Sequence, residues 1–89
     1  MWDVEALPQV REVAWLYLPG SDIPTAGVRL EERMSVQEPG WDLLLNDPAR
    51  EPTKRAPYAD EESAREALAA IYAQGEQFGR WKVRRAEAG

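Results

Sequence analysis

The chain of 89 residues contains no cysteine and no histidine. Without histidine it lacks the side chain whose unperturbed pKa lies closest to neutrality, and without cysteine it has neither a thiolate nucleophile nor a sulfur ligand for zinc. These absences exclude most familiar active sites, because acid–base catalysis near pH 7 depends on groups that titrate in that range. We therefore expect a protein that is not an enzyme and that holds no cofactor and no metal ion.

Long apolar runs are also absent. The longest, residues 13–18 and 43–45, fall far short of the roughly 20 residues that span a bilayer. The first residues lack the basic-then-apolar pattern of a secretory signal, so we expect no membrane contact and a cytoplasmic location. The composition, with 44% apolar and 30% charged residues and four tryptophans, predicts one folded domain over residues 1–89.

Charge is unevenly distributed along the chain, whose net charge is −5. Residues 1–49 hold nine acids and three bases, a net charge of −6, whereas residues 50–89 hold seven acids and eight bases, a net charge of +1. The acidic first half favours a basic partner and repels nucleic acid. The second half leaves room for one local positive patch.

Three segments of the first half have strand patterns. Residues 1–9 are interpreted as an N-terminal arm, and residues 10–18 carry apolar side chains on both faces, as in a central strand. Residues 27–37 alternate apolar and polar side chains, which predicts a half-buried strand. The sequence Glu38-Pro39-Gly40 is typical of a type II turn and should lead into a third strand that ends at Asn46.

The second half predicts a loop, a helix and a strand. Residues 46–59 contain three prolines and three basic residues, and we interpret them as a proline-rich basic loop. Asp60 is a candidate N-cap, and Gly75 has the character of the residue just beyond a helix. Residues 78–86 alternate again, with one basic face.

The fold predicted is α+β, in the order β-β-β-α-β, with a three- to four-stranded, largely antiparallel sheet and one helix packed on one face. A right-handed crossover through the helix could place the last strand parallel to a neighbour.

Two functional hypotheses follow, and the first is protein binding. We expect a small acidic adaptor, regulator or inhibitor of a larger cellular machine, because surplus apolar surface and the acidic first half would supply the contact. Its candidate contact residues are Trp2, Glu31, Asp42 and Tyr58. A second copy of the chain is an alternative partner, since one helix covers only one face of a strand that is apolar on both.

The second hypothesis is nucleic-acid binding by the positive patch. Basic side chains that project from one strand face, together with a basic loop, could grip phosphates. The candidate residues are Arg50, Lys54 and Arg55 in the predicted loop and Arg80, Lys82 and Arg84 in the last strand. The net charge of −5 opposes this function and places it second.

Overall fold

The computed structural model describes residues 7–47 and 51–86, which form five strands and one helix in the order β-β-β-β-α-β. The elements are β1 (Gln9–Tyr17), β2 (Ala26–Arg33), β3 (Gly40–Asp47), β4 (Glu51–Tyr58), α1 (Glu61–Glu76) and β5 (Arg80–Arg85). The predicted α+β class with a single helix is confirmed. The predicted number of strands, three to four, is too low by at least one.

The additional strand is β4, which lies where a proline-rich loop was predicted at residues 46–59. It pairs with β3, and Pro57 stands opposite Asp42 in the register. Proline interrupts a strand that must donate hydrogen bonds on both sides, but it is tolerated at the edge of a sheet. Because β4 is an edge strand, Pro52 and Pro57 do not prevent it from forming.

All neighbouring strands of the sheet are antiparallel, in the spatial order β4-β3-β2-β1-β5. The first four strands form a meander, and α1 then returns the chain across the sheet so that β5 pairs with β1. A helix of 16 residues is about 24 Å long, and four strand spacings amount to about 19 Å, so α1 is long enough for this return. The last strand therefore runs antiparallel to its neighbour, as the predicted largely antiparallel sheet requires, and the crossover does not produce the parallel pairing that it could have allowed.

Strand β2 is shorter than its alternating pattern predicts. It ends at Arg33, whereas the prediction ran to residue 37. Met34 and Val36, which continue the apolar alternation, are 39% and 95% exposed. They lie between the end of β2 and the turn at Pro39 that leads into β3 at Gly40.

The start of α1 agrees with the sequence and its end does not. The Asp60 carboxylate accepts a hydrogen bond from the backbone N–H of Ser63 at 2.8 Å, so the predicted N-cap is confirmed. Gly75, predicted to follow the helix, lies in its last turn and is buried. An ideal Cβ built on Gly75 would stand 2.5 Å from the indole of Trp81, so glycine lets β5 approach the helix closely.

The core lies between α1 and one face of the sheet. Side chains alternate between the two faces of each strand, and the buried ones on β1, β2 and β3 meet the small, apolar stripe of the helix. The buried cluster consists of Ala14, Val28, Leu30, Leu43, Ala64 and Leu68. We call this side of the sheet the helix face, and the opposite side the open face, because the only helix in residues 7–47 and 51–86 does not lie on it. That helix is too short and too polar to cross a membrane.

Candidate functional site

The open face combines side chains from all five strands, with aromatic rings on β1 and cations on β2, β4 and β5. Each strand places there the residues that alternate with its helix-face residues, and the strand register puts them in rows across the sheet. The open face comprises Val10, Val13, Trp15, Tyr17, Gly27, Arg29, Glu31, Arg33, Asp42, Leu44, Asn46, Thr53, Arg55, Pro57, Arg80, Lys82 and Arg84. It is therefore assembled from the whole fold rather than from one segment.

The charge of this face is opposite in sign to that of the chain. Six of its residues are Arg or Lys and two are Asp or Glu, which gives +4, whereas the whole chain carries −5. The two carboxylates lie in the interior of the sheet and the cations extend to both of its edges. The open face thus presents a positive field to solvent.

Glu31 and Asp42, predicted to contact a partner protein, are 4% and 2% exposed. They stand directly opposite each other on β2 and β3, an arrangement that neighbouring cations must neutralise. Asp42 Oδ2 accepts a hydrogen bond from Arg55 Nη1 at 3.1 Å and lies 3.2 Å from Arg33 Nε, while Glu31 pairs with Arg29. These carboxylates therefore position arginines on the open face.

The three cations of β5 are exposed and lie on one edge strand of the open face. Arg80, Lys82 and Arg84 are exposed, and none of them forms an ion pair with another described residue. They alternate along the strand, so the row from Arg80 to Arg84 spans roughly 13 Å. Lys82 Nζ also lies 5.1 Å from the centre of the Tyr17 ring, which stabilises the cation over the aromatic face.

The other basic residues of the nucleic-acid hypothesis do not join this row. Arg55 shares the open face but lies on β4, at the opposite edge and about 19 Å away by four strand spacings. Lys54 belongs to the helix face, because it pairs with Leu45 in the row of Val28. Arg50 lies outside the described residues. Of the described candidates, the structure therefore brings Arg80, Lys82 and Arg84 together, and Arg55 shares their face at the opposite edge of the sheet.

The two aromatic residues predicted to contact a protein partner are Trp2 and Tyr58. Trp2 lies outside the described residues. Tyr58 is half-buried on the helix face, opposite Trp41, and packs against the core. The aromatic residues of the open face are instead Trp15, whose exposed fraction is 39%, and Tyr17. Alternation along β1 places Trp15 and Tyr17 on one face, and the strand order shows that the β5 cations flank them.

A shallow depression of about 170 Å³ lies beside Trp15 on the open face. Gly27 stands between Trp15 and Asn46 in one row, and its lack of a side chain leaves space there. Arg29 and Thr53 also line the depression. This small concave region therefore combines an indole ring with amide, hydroxyl and guanidinium groups.

A separate polar cluster lies under α1 on the helix face. Glu12 is 2% exposed, and its carboxylate accepts hydrogen bonds from Tyr72 Oη at 2.7 Å, Arg85 Nε at 3.1 Å and Arg65 Nη1 at 3.2 Å. Burial acts to raise the pKa of Glu12, but these three hydrogen bonds together lower it below the ordinary value. Burial and the bond to Glu12 raise the pKa of Tyr72. The cluster links β1, α1 and β5 through one buried carboxylate.

Among the described residues, no group of three or more acidic side chains could hold a metal ion. The chemistry that the open face offers is recognition of a negatively charged, partly aromatic ligand, since it carries cations, an exposed indole and hydrogen-bonding groups. Comparison of the chain with protein-family models, with curated protein sequences and with solved structures finds no match.

Proposed function

We propose that the protein binds single-stranded nucleic acid on the open face of its sheet, in the cytoplasm and without catalysis. The observation that carries the proposal is the row of Arg80, Lys82 and Arg84 beside the exposed ring of Trp15, on a face whose net charge is +4. Proteins that bind single strands combine cations that follow the backbone with aromatic rings on which bases stack.

The geometry favours a single strand over a duplex. The sheet presents its cations on a broad strand surface, and no described helix projects from the open face to enter a major groove. An exposed indole beside a phosphate-binding row is useful only if the bases of the ligand are accessible for stacking. A second copy of the chain is a poorer occupant, because stacking two open faces would bring like-charged surfaces together.

The test compares Lys82→Glu with Lys54→Glu. Both substitutions change a lysine on an edge strand and lower the net charge equally, but Lys82 lies on the open face and Lys54 on the helix face. Binding is measured by fluorescence anisotropy of a labelled oligothymidylate of about 16 nucleotides, the upper end of the range for one small domain. We expect Lys82→Glu to weaken binding roughly tenfold and Lys54→Glu to leave it nearly unchanged.

Three further measurements complete this test. For three phosphate contacts, the logarithm of the association constant should fall with the logarithm of salt concentration with a slope of roughly −2. A matched oligouridylate distinguishes RNA from DNA as the tighter ligand. Polyglutamate is the control for an acidic protein ligand. Equal effects of the two substitutions, or tighter binding of polyglutamate than of oligothymidylate, would refute the proposal.

Protein binding is retained as a second candidate because of an exposed apolar patch at one end of the domain. Leu18 and Phe78, which are 42% and 62% exposed, line one shallow depression between the end of β1 and the start of β5. Exposed aromatic residues of this kind anchor protein interfaces. If this patch binds a protein, Phe78→Ser should abolish capture of that protein in a pull-down while leaving the affinity for oligothymidylate unchanged.

A further inference from the structure

The depression beside Trp15 has the features of a site for one flat ring. Trp15, Gly27 and Asn46 occupy one row across β1, β2 and β3, and Lys82 on β5 extends that row to the edge of the sheet. The indole leans over the glycine: an ideal Cβ on Gly27 would lie 3.6 Å from Trp15 Cδ1 and 3.8 Å from Nε1. One wall of the depression is therefore the indole ring of Trp15, which lies against the backbone at Gly27.

The rim of the depression supplies hydrogen-bonding groups of several kinds. The Asn46 amide both donates and accepts, the Thr53 hydroxyl does the same, and Arg29 donates from a side chain that is 47% exposed. Leu44 closes the depression on its apolar side and is only 7% exposed. A volume of about 170 Å³ suits a single aromatic heterocycle and is too small for a base pair.

We infer that this depression is a slot for one nucleobase of the bound strand, an inference that rests on the proposed function. The base stacks on Trp15, Asn46 and Thr53 bond to its polar edge, and Arg29 contacts the adjacent phosphate. The remaining phosphates follow Arg80, Lys82 and Arg84 along β5. Two strand spacings, about 10 Å, separate β5 from Gly27, so the strand runs along β5 and turns one base inward over β1.

Gly27 gives the sharpest test of the slot. A Cβ at this position makes only ordinary contacts, the nearest at 3.6 Å, so Gly27→Ala should fold normally. Gly27→Val adds two further methyl groups that fill the depression, and valine is a strong strand former. The two variants therefore change the space beside Trp15 in steps without removing any charge.

The variants are measured against two probes at low salt: labelled oligothymidylate and an abasic deoxyribose-phosphate strand of the same length. We expect Gly27→Val to weaken oligothymidylate binding roughly tenfold, which corresponds to the loss of one stacked base. Gly27→Ala should have a smaller effect in the same direction. Binding of the abasic strand should be unchanged in both variants, and thermal melts should show that both remain folded.

The outcomes separate the slot from the proposed function. If the wild-type protein binds neither probe at low salt, the proposed function fails and the slot fails with it. If the wild type binds both and Gly27→Val weakens them equally or not at all, the slot alone is refuted. Asn46→Ala is the second variant: it leaves the volume open, and it should weaken oligothymidylate binding while sparing the abasic strand.

Discussion

The contact between Gly75 and Trp81 predicts that an ordinarily favourable substitution will be harmful. Replacing glycine by alanine in a helix ordinarily raises the free energy of unfolding, by up to about 1 kcal/mol through helix propensity, and Gly75 lies in the last turn of α1. Here, however, the new Cβ would stand 2.5 Å from both Cζ2 and Nε1 of Trp81. The indole cannot move away freely, because its Nε1 donates to the Tyr72 carbonyl at 3.0 Å and its ring lies 5.2 Å from that of Tyr72.

The magnitude follows from these opposing contributions. Overpacking a core position costs about 1 to 3 kcal/mol, and losing the indole hydrogen bond costs about 1 kcal/mol more. After subtraction of the helix gain, Gly75→Ala should lower the free energy of unfolding by about 1 to 3 kcal/mol. Urea denaturation followed by circular dichroism measures this change.

A double-mutant cycle identifies the cause of the loss. Trp81→Phe removes the part of the indole that the new Cβ would meet, so Gly75→Ala should be neutral or stabilising by up to about 1 kcal/mol in that background. A Gly75→Ala protein as stable as the wild type would refute the packing argument. If Gly75→Ala lowers the free energy of unfolding equally in both backgrounds, contact with Trp81 is not the cause of the loss.

Two further predictions concern α1 and the buried carboxylate. Asp60→Ala should lower the free energy of unfolding by roughly 0.5 to 2 kcal/mol because the bond to the Ser63 N–H is lost, and Asp60→Asn, which keeps an acceptor, should lose less. Glu12→Gln should cost about 1 to 3 kcal/mol at pH 7. Because hydrogen bonds hold the pKa of Glu12 below the ordinary value of 4.5, its contribution is present above that pH and disappears as pH falls through the lower folded-state value. The stability difference between Glu12→Gln and the wild type should therefore shrink in acid, and a constant difference across pH titrations would contradict the assignment.

The elements that the sequence predicts well are those with a local signal. Asp60 followed by two glutamates identifies the start of α1 because capping depends on residues within one turn. The alternation in β1 places Trp15 and Tyr17 on one face for the same reason. The strand β4 within residues 46–59 was not predicted because the segment contains prolines. Proline excludes a strand only where its missing N–H is needed, and that depends on whether the strand lies at the edge of the sheet.

The candidate site is less predictable because its partners are far apart in the sequence. Alternation tells which face a side chain occupies, but not which strand lies beside it. Asp42 is the clearest example: as a sequence feature it is an accessible acid, whereas pairing with β2 and β4 buries it among Arg33 and Arg55. Glu12 likewise meets Arg85 across 73 positions of sequence. Because of the strand order, Glu31 and Asp42, which were predicted to contact a partner, are instead buried beside arginines of the open face.

The net charge of −5 argued against an anionic ligand, and the position of the acids of α1 weakens that objection. The exposed acids of α1, namely Glu61, Glu62, Glu66 and Glu76, belong to the helix side of the domain. The sheet and a helix diameter of about 10 Å separate the outer surface of α1 from the open face. The Debye length at physiological ionic strength is about 8 Å, so these acids are largely screened from a ligand on the open face. What such a ligand meets is the local arrangement of Arg80, Lys82 and Arg84, and salt dependence should follow those cations rather than the charge of the whole chain.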